Sequence, residues 1–401
     1  MAESSSSWRG VLLASSIGVI ATAVLWIALC VPLAMGLLHP APIDAPEHAL
    51  PPNAPTTNAH DPARRTAAVL LSQAGTEVTD FMAPYAILAA SDAFDVYAVA
   101  PTLAIAPTNG GLGIVPQLTL DAFDAAHANG ADVVIIPNVL DPDAPVLLEW
   151  VARQAARGAL VVSVCEGARL LARTGLLDGR QATTHFAAIT ELRKSFPGVR
   201  WRDDRRYVAD GALVTSAGVT AAIDASLYVV AHFAGTEAAA RTARLLALPY
   251  AANDAGVTVA PTVLSSDDVT IAVLNGALLW PKQQVLVPLG DGVDELELAA
   301  VLDAYPRTFA AASASTSPEQ RAVRSRHGLV LVPARSTSAR GAATWWSSRC
   351  ARRATAPPTI ACCARSRHAS MARRQRWSPS SCSIRQHISG SLRCRRHSRA
   401  T

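Results

Sequence analysis

Cysteine is scarce where it would matter for folding. Of seven cysteines in 401 residues, only Cys30 and Cys165 precede residue 340. A disulfide framework is thereby excluded from the body of the chain, and the tail cysteines lack any regular metal-ligand spacing. No metal and no cofactor is expected. Negative charge stops abruptly: no Asp or Glu follows Glu319, while arginines crowd the sequence beyond Arg335. The formal net charge of +5 therefore belongs to the tail and implies no nucleic-acid partner for the nearly balanced middle.

Charge of either sign is absent from Gly10 to Leu38, a run longer than the roughly 20 apolar residues that span a bilayer. Residues 1–38 are read as an N-terminal transmembrane anchor. A cleaved signal peptide is the competing reading, but its apolar core normally holds about 7 to 15 residues. Arg9 precedes the span and Asp44, Glu47 and Asp61 follow it, which places the N-terminus inside. In a bacterium this gives a single-pass inner-membrane protein with its soluble part in the periplasm. Residues 39–65 are rich in Pro and Ala without apolar periodicity and form a stiff, solvated linker.

From Thr66 the pattern alternates. "AAVLLS", "FDVYAVA", "ADVVIIP" and "ALVVSV" read as strands, separated by helical stretches such as "EVTDFMAPYAILAAS" and "PVLLEWVARQAARG". Continuous Val, Ile and Leu runs joined by helices predict a doubly wound, mostly parallel α/β sheet covered on both faces. Ligands bind such sheets at the carboxyl ends of the strands. Cys165 stands at one of those ends, between "VVSV" and "EGARLLARTG". A cysteine on such a turn projects its sulfur out of the sheet like a nucleophile elbow, where backbone N–H groups and a helix dipole favour a thiolate. Gly167 would let the chain turn and a ligand approach. The plain alternative is a small buried hydrophobe.

These motifs carry a family resemblance. "SVCEGARLLARTGLLDGRQATTHF", with "VTDFMAP" upstream and "LVTSAGVTAAIDASLYVVAHFAG" downstream, resembles the DJ-1/PfpI superfamily, the class I glutamine amidotransferase-like (flavodoxin-like) sandwich. Within it, the match resembles the branch holding isocyanide hydratases and the amidotransferase-like halves of AraC-type regulators. The resemblance spans about residues 66–250. It implies that Cys165 is the elbow cysteine and Asp80 the acid beside it, able to shuttle a proton or hold a water. Read alone, Asp80 is a helix-surface acid near an N-terminus. His185 in "ATTH" supports the site or joins its chemistry. Glu166 follows the cysteine where isocyanide hydratases carry a small or hydroxyl residue; ionised, it would raise the thiol pKa and oppose an anionic transition state. Many relatives have a Pro-Gly-Gly turn that helps build an oxyanion hole, where this chain reads Pro137, Asn138 and Val139. The backbone of Gly75, Gly167, Asn138 and Val139 completes the expected pocket. A homodimer is a further implication of the resemblance.

The chain also repeats itself. Residues 67–117 align without a gap on 284–334 at an offset of 217, so that Gly75 meets Gly292, Asp80 meets Glu297 and Gly111 meets Gly328. The organisation read from this is a first domain over 66–246, a linker over 247–281 and a truncated second copy over 282–335. Where "DVVIIP" should recur stands "RCARRA", and residues 336–401 lose acids and periodicity together. An out-of-frame reading of a GC-rich gene accounts for this disordered basic tail better than a nucleic-acid-binding arm does.

Three functions fit. The first is a membrane-tethered ligand-sensing or regulatory module with a reactive-cysteine pocket for an unidentified small molecule. The second is a Cys-dependent hydratase or amidase of the isocyanide hydratase type. The third is an AraC-like regulator lacking its DNA-binding domain, since a second α/β segment follows where a helix-turn-helix would be needed.

Overall fold

The computed structural model describes residues 60–250, 258–262, 265–278 and 282–336. The expected membrane anchor, most of the Pro/Ala-rich linker and the basic tail lie outside the described residues. No helix among the described residues is long and apolar enough to cross a membrane.

In chain order come β1 (Arg65–Leu70), α1 (Val78–Ala90), β2 (Phe94–Ala100), β3 (Ala106–Thr108), β4 (Leu112–Val115) and β5 (Leu118–Thr119). Next are α2 (Leu120–Ala126), β6 (Val133–Ile136), α3 (Pro145–Ala156), β7 (Leu160–Val164), α4 (Gly167–Arg173), β8 (Gln181–Ala182) and α5 (Ile189–Ser195). Then follow β9 (Arg200–Trp201), β10 (Tyr207–Asp210), β11 (Leu213–Ser216), α6 (Thr220–Ala234) and α7 (Thr236–Leu245). The main sheet has seven strands in the order β10-β11-β7-β6-β1-β2-β5. Every neighbouring pair is parallel except β10 with β11 at one edge.

Period-two alternation along apolar strands explains the two covered faces. Ala67, Val69 and Leu71 enter one core with Phe81, Met82 and Tyr85 of α1 and Val230 of α6. Ala68 and Leu70 enter the other with Phe123 of α2 and Leu147 and Trp150 of α3. The carboxyl ends of β1, β6, β7 and β11 thus lie side by side, bringing the segments after Leu70, Ile136, Val164 and Ser216 together.

The stretch 247–281, expected as a linker, holds helix α8 (Ser266–Leu278). Asp267 and Asp268 occupy its first turn, Asp268 bonds back to Ser265, and the run "TIAVLNGAL" propagates the helix. After it come β12 (Gln283–Pro288), α9 (Glu295–Ala304), β13 (Ala311–Ser317), β14 (Val323–Arg324), β15 (Val330–Pro333) and β16 (Arg335–Ser336). Strands β12, β13 and β16 form a parallel three-stranded sheet. The β14–β15 hairpin pairs instead with β3 and β4, in a four-stranded sheet of order β14-β15-β4-β3. Helix α9 packs on α1, and Leu298, Ala299 and Leu302 join the core that holds Phe81 and Tyr85. Residues 283–336 therefore lie against the seven-stranded unit, with their apolar faces buried in it.

Candidate functional site

Cys165 follows β7 directly, and its backbone turns through the left-handed region at φ 55°. Two bonds hold that turn: its N–H donates to Ser216 O at 3.0 Å, and its carbonyl accepts from Thr184 Oγ1 at 2.8 Å. The left-handed residue is thus the cysteine itself rather than Gly167. The value of Gly167 lies in packing, because an added Cβ would stand 2.1 Å from Ile136 O and 2.7 Å from Pro137 O. Gly167 lets helix α4 close on the end of β6, a different use from the ligand approach expected of it. On the other side of the sulfur, an added Cβ at Gly218 would stand 2.7 Å from Cys165 Sγ. Val219 next to it has φ 46°, a costly conformation for a β-branched residue and a kind of strain that clusters at functional sites.

Asp80 is the third residue of α1 and is wholly buried. One carboxylate oxygen accepts from the N–H of Val219 at 3.2 Å and the other from the N–H of Asn138 at 3.4 Å. The Asn138 N–H, expected among the pocket backbone groups, is directed at this carboxylate. Asn138 O accepts from Glu77 N at 2.9 Å, Gly75 O accepts from Leu140 N at 3.0 Å, and Val139 is bridged to Thr76. Gly75, Asn138 and Val139 therefore tie the loop after β6 to the start of α1.

Sequence reading missed Glu77. It caps α1 by accepting from Asp80 N at 2.5 Å, and its other oxygen accepts from Asn109 Nδ2 at 3.2 Å and from Arg307 at 3.3 Å. An acid just before the apolar-periodic run was the available signal for a cap. Arg307, which follows α9, also binds Asp303 at 2.6 Å, and nothing local in the sequence marks it.

Burial dominates the electrostatics. Asp80 is pushed up from its ordinary value to about 6, chiefly by desolvation, with the Val219 N–H working against the shift. Desolvation and the Asp80 charge hold Glu77 well above the usual carboxylate range. The Cys165 thiol is also driven well above its ordinary value, first by burial and then by the charges of Asp80, Glu77 and Glu166. The thiolate that turn and helix dipole would favour is outweighed by desolvation and three nearby acids. Glu166 is held by Arg169 at 3.1 Å. His185 lies close by, its ring centroid 4.4 Å from that of Phe186, and its pKa is lowered by burial and then by Arg307. It makes no hydrogen bond to the sulfur among the described residues. Chemically the site is a buried thiol beside proton-holding carboxyl groups, with a neutral imidazole nearby.

The DJ-1/PfpI family model matches residues 65–232. The isonitrile hydratase of Pseudomonas putida is 31% identical over 166 residues, which are 40% of this chain and 68% of the hydratase. The HTH-type transcriptional regulator CdhR of Pseudomonas aeruginosa is 34% identical over 104 residues, 26% of this chain, and the chain spans only 31% of that regulator's length. Among solved structures, a THiJ/PfpI family protein from Pseudomonas syringae superposes with a TM-score of 0.42 at 26% identity, covering 52% of this chain and 87% of its own. Since the match to the hydratase, at 31% identity, covers more than two thirds of that protein, the chain belongs to the DJ-1/PfpI family.

Proposed function

We propose that the chain is a membrane-anchored DJ-1/PfpI module that binds a small molecule at the Cys165 and Asp80 pocket and serves in sensing or regulation rather than rapid turnover. In this reading residues 10–38 hold it in a bacterial inner membrane, with the pocket on the periplasmic side. The observation that carries it is the surroundings of the sulfur: Cys165 is buried, and its ionisation is opposed first by desolvation and then by the charges of Asp80, Glu77 and Glu166. The backbone N–H groups of Asn138 and Val219 are both engaged by the Asp80 carboxylate, which takes them from the stabilisation of a developing oxyanion. Similarity to a transcription regulator is consistent with a binding role.

One observation favours a second reading. A carboxyl group titrating near 6 is suited to donate a proton at neutral pH. In an isonitrile hydratase mechanism the thiol would add across the isonitrile carbon. Sulfur would bond to carbon while protonated Asp80 gives its proton to the same carbon and takes up the thiol proton in exchange, and water would then displace the sulfur, returning its proton to the thiol and releasing a formamide.

The two readings part on one assay. For the sensing module, an alkyl isonitrile incubated with the full chain at pH 6 yields formamide at the rate of a buffer blank, with or without Cys165→Ser. Formamide production abolished by both Cys165→Ser and Asp80→Asn, and fading as pH rises through about 6, would establish the hydratase instead.

A further inference from the structure

The repeat at an offset of 217 extends to structure. Strand β2 (Phe94–Ala100) recurs as β13 (Ala311–Ser317), and β5 (Leu118–Thr119) recurs as β16 (Arg335–Ser336), residue for residue. The helix caps correspond, Glu77 to Asp294, and so do the left-handed residues Asp92 and Phe309, each at φ 57°. Pairing of β2 with β5 begins at Val99 and Leu118, and that of β13 with β16 at their equivalents Thr316 and Arg335.

The two copies face each other about a twofold axis. In the antiparallel pairing of β4 with β15, Ile114 lies opposite Leu331, its own equivalent at the repeat offset. Gly113 lies opposite Val332 and Val115 opposite Val330, so each strand meets the other in exchanged positions. Away from the axis the exchange persists. Tyr85 OH donates to His327 O at 3.2 Å, while Leu302, the equivalent of Tyr85, sits against Gly110, the equivalent of His327. The helices α1 and α9, themselves equivalent, pack together. Contacts in which residue i meets j and the equivalent of j meets the equivalent of i define an isologous interface, normally formed between two chains.

The half-copy also reaches the site. Asp303 accepts from Asn109 at 3.3 Å, and Arg307 bonds to Glu77 at 3.3 Å, so a guanidinium from the second copy neutralises the acidic end of α1 beside Cys165. Its charge is close enough to interact with the thiol.

We infer that residues 283–336 are a built-in partner: they occupy, in isologous fashion, the face formed by α1 and the β3–β4 hairpin, and they supply Arg307 as a positioning residue for the Cys165 site. That face is then closed to a second chain, and any homodimer of this protein must use another surface. The role given to Arg307 rests on the Cys165 site proposed above, whereas the internal pairing does not.

Val115 and Val330 lie opposite each other and each is 8% exposed. In the full chain in detergent micelles, a Val115→Cys/Val330→Cys variant oxidised with copper phenanthroline should yield the 115–330 linked peptide in a band migrating as one chain. A Thr79→Cys/Ala299→Cys variant, linking α1 to α9, should do the same. Links found only between chains, or missing from both variants, would overturn the built-in partner. For Arg307, the probe is iodoacetamide labelling read at the Cys165 peptide. Arg307→Gln should slow labelling at pH 8 about 3-fold by withdrawing a positive charge from the thiol, and Arg307→Lys should restore it. Equal labelling in all three chains would overturn the role of Arg307. Neither readout needs a ligand or turnover, so both are distinguishable from failure of the functional reading.

Discussion

Gly167→Ala is expected to cost about 3 kcal/mol or more, enough to lower the melting temperature by ~10 °C in a domain of this size. The methyl group would stand 2.1 Å from Ile136 O and 2.7 Å from Pro137 O, and both obstacles are backbone at the end of a central strand. No flexible side chain can yield, so α4 must move away from β6 and carry the Cys165 turn with it. Thermal unfolding of the full chain measures the loss, and Gly276→Ala provides the contrast. Gly276 lies within α8 with nothing within 4 Å of its added Cβ, so the same substitution there should be neutral or stabilising by up to about 1 kcal/mol. A Gly167→Ala chain that melts with the unaltered protein would mean that the elbow does not rest on β6.

Asp80→Asn is expected to stabilise the protein at pH 8 and not at pH 4. The folded state raises the carboxyl from 3.8 to about 6, so between those values it keeps a proton that the unfolded chain gives up. A raised folded pKa contributes stability fully present below the unfolded value and lost as pH rises through the folded one. The loss is about 3 kcal/mol across that window, on the order of 1.4 kcal/mol per pH unit. Asparagine never ionises, which removes this loss, but its single carbonyl oxygen satisfies the Asn138 and Val219 N–H groups less well, at a cost of about 1 kcal/mol. The net gain at pH 8 is therefore about 2 kcal/mol, measurable by urea unfolding at both pH values. An Asn variant less stable than the unaltered chain at both would show that Asp80 is a well-compensated ion and not a strained one. Stability sacrificed at this position is what a functional acid held in an apolar site leads one to expect.

The sheet was legible in the sequence because its central strands are continuous apolar runs between amphipathic helices, a pattern with few architectural solutions. The elbow was legible for a related reason, as a cysteine between such a run and a helical stretch stands at a strand's carboxyl end. What sequence could not supply was the balance of forces there. Turn and helix dipole argue for a thiolate, whereas burial of Cys165 and the proximity of Asp80, Glu77 and Glu166 argue against one, and only the folded arrangement weighs them. Glu77 was visible as an acid before a helix, yet its contact with Arg307 depends on docking of a segment far along the chain. The sequence offered an alignment at an offset of 217, and an alignment carries no information on how two segments face each other. The pairing of Ile114 with its own equivalent Leu331 is a property of three dimensions.

The most direct test of the site as a proton-holding pocket is the pH dependence of Cys165 labelling by iodoacetamide, followed at its own peptide so that the six other cysteines do not intrude. The thiol should titrate above its usual value of about 8.5, and Asp80→Asn should bring it down by removing a nearby negative charge. A midpoint below that value and indifferent to Asp80 would contradict the account and identify Cys165 as an activated nucleophile.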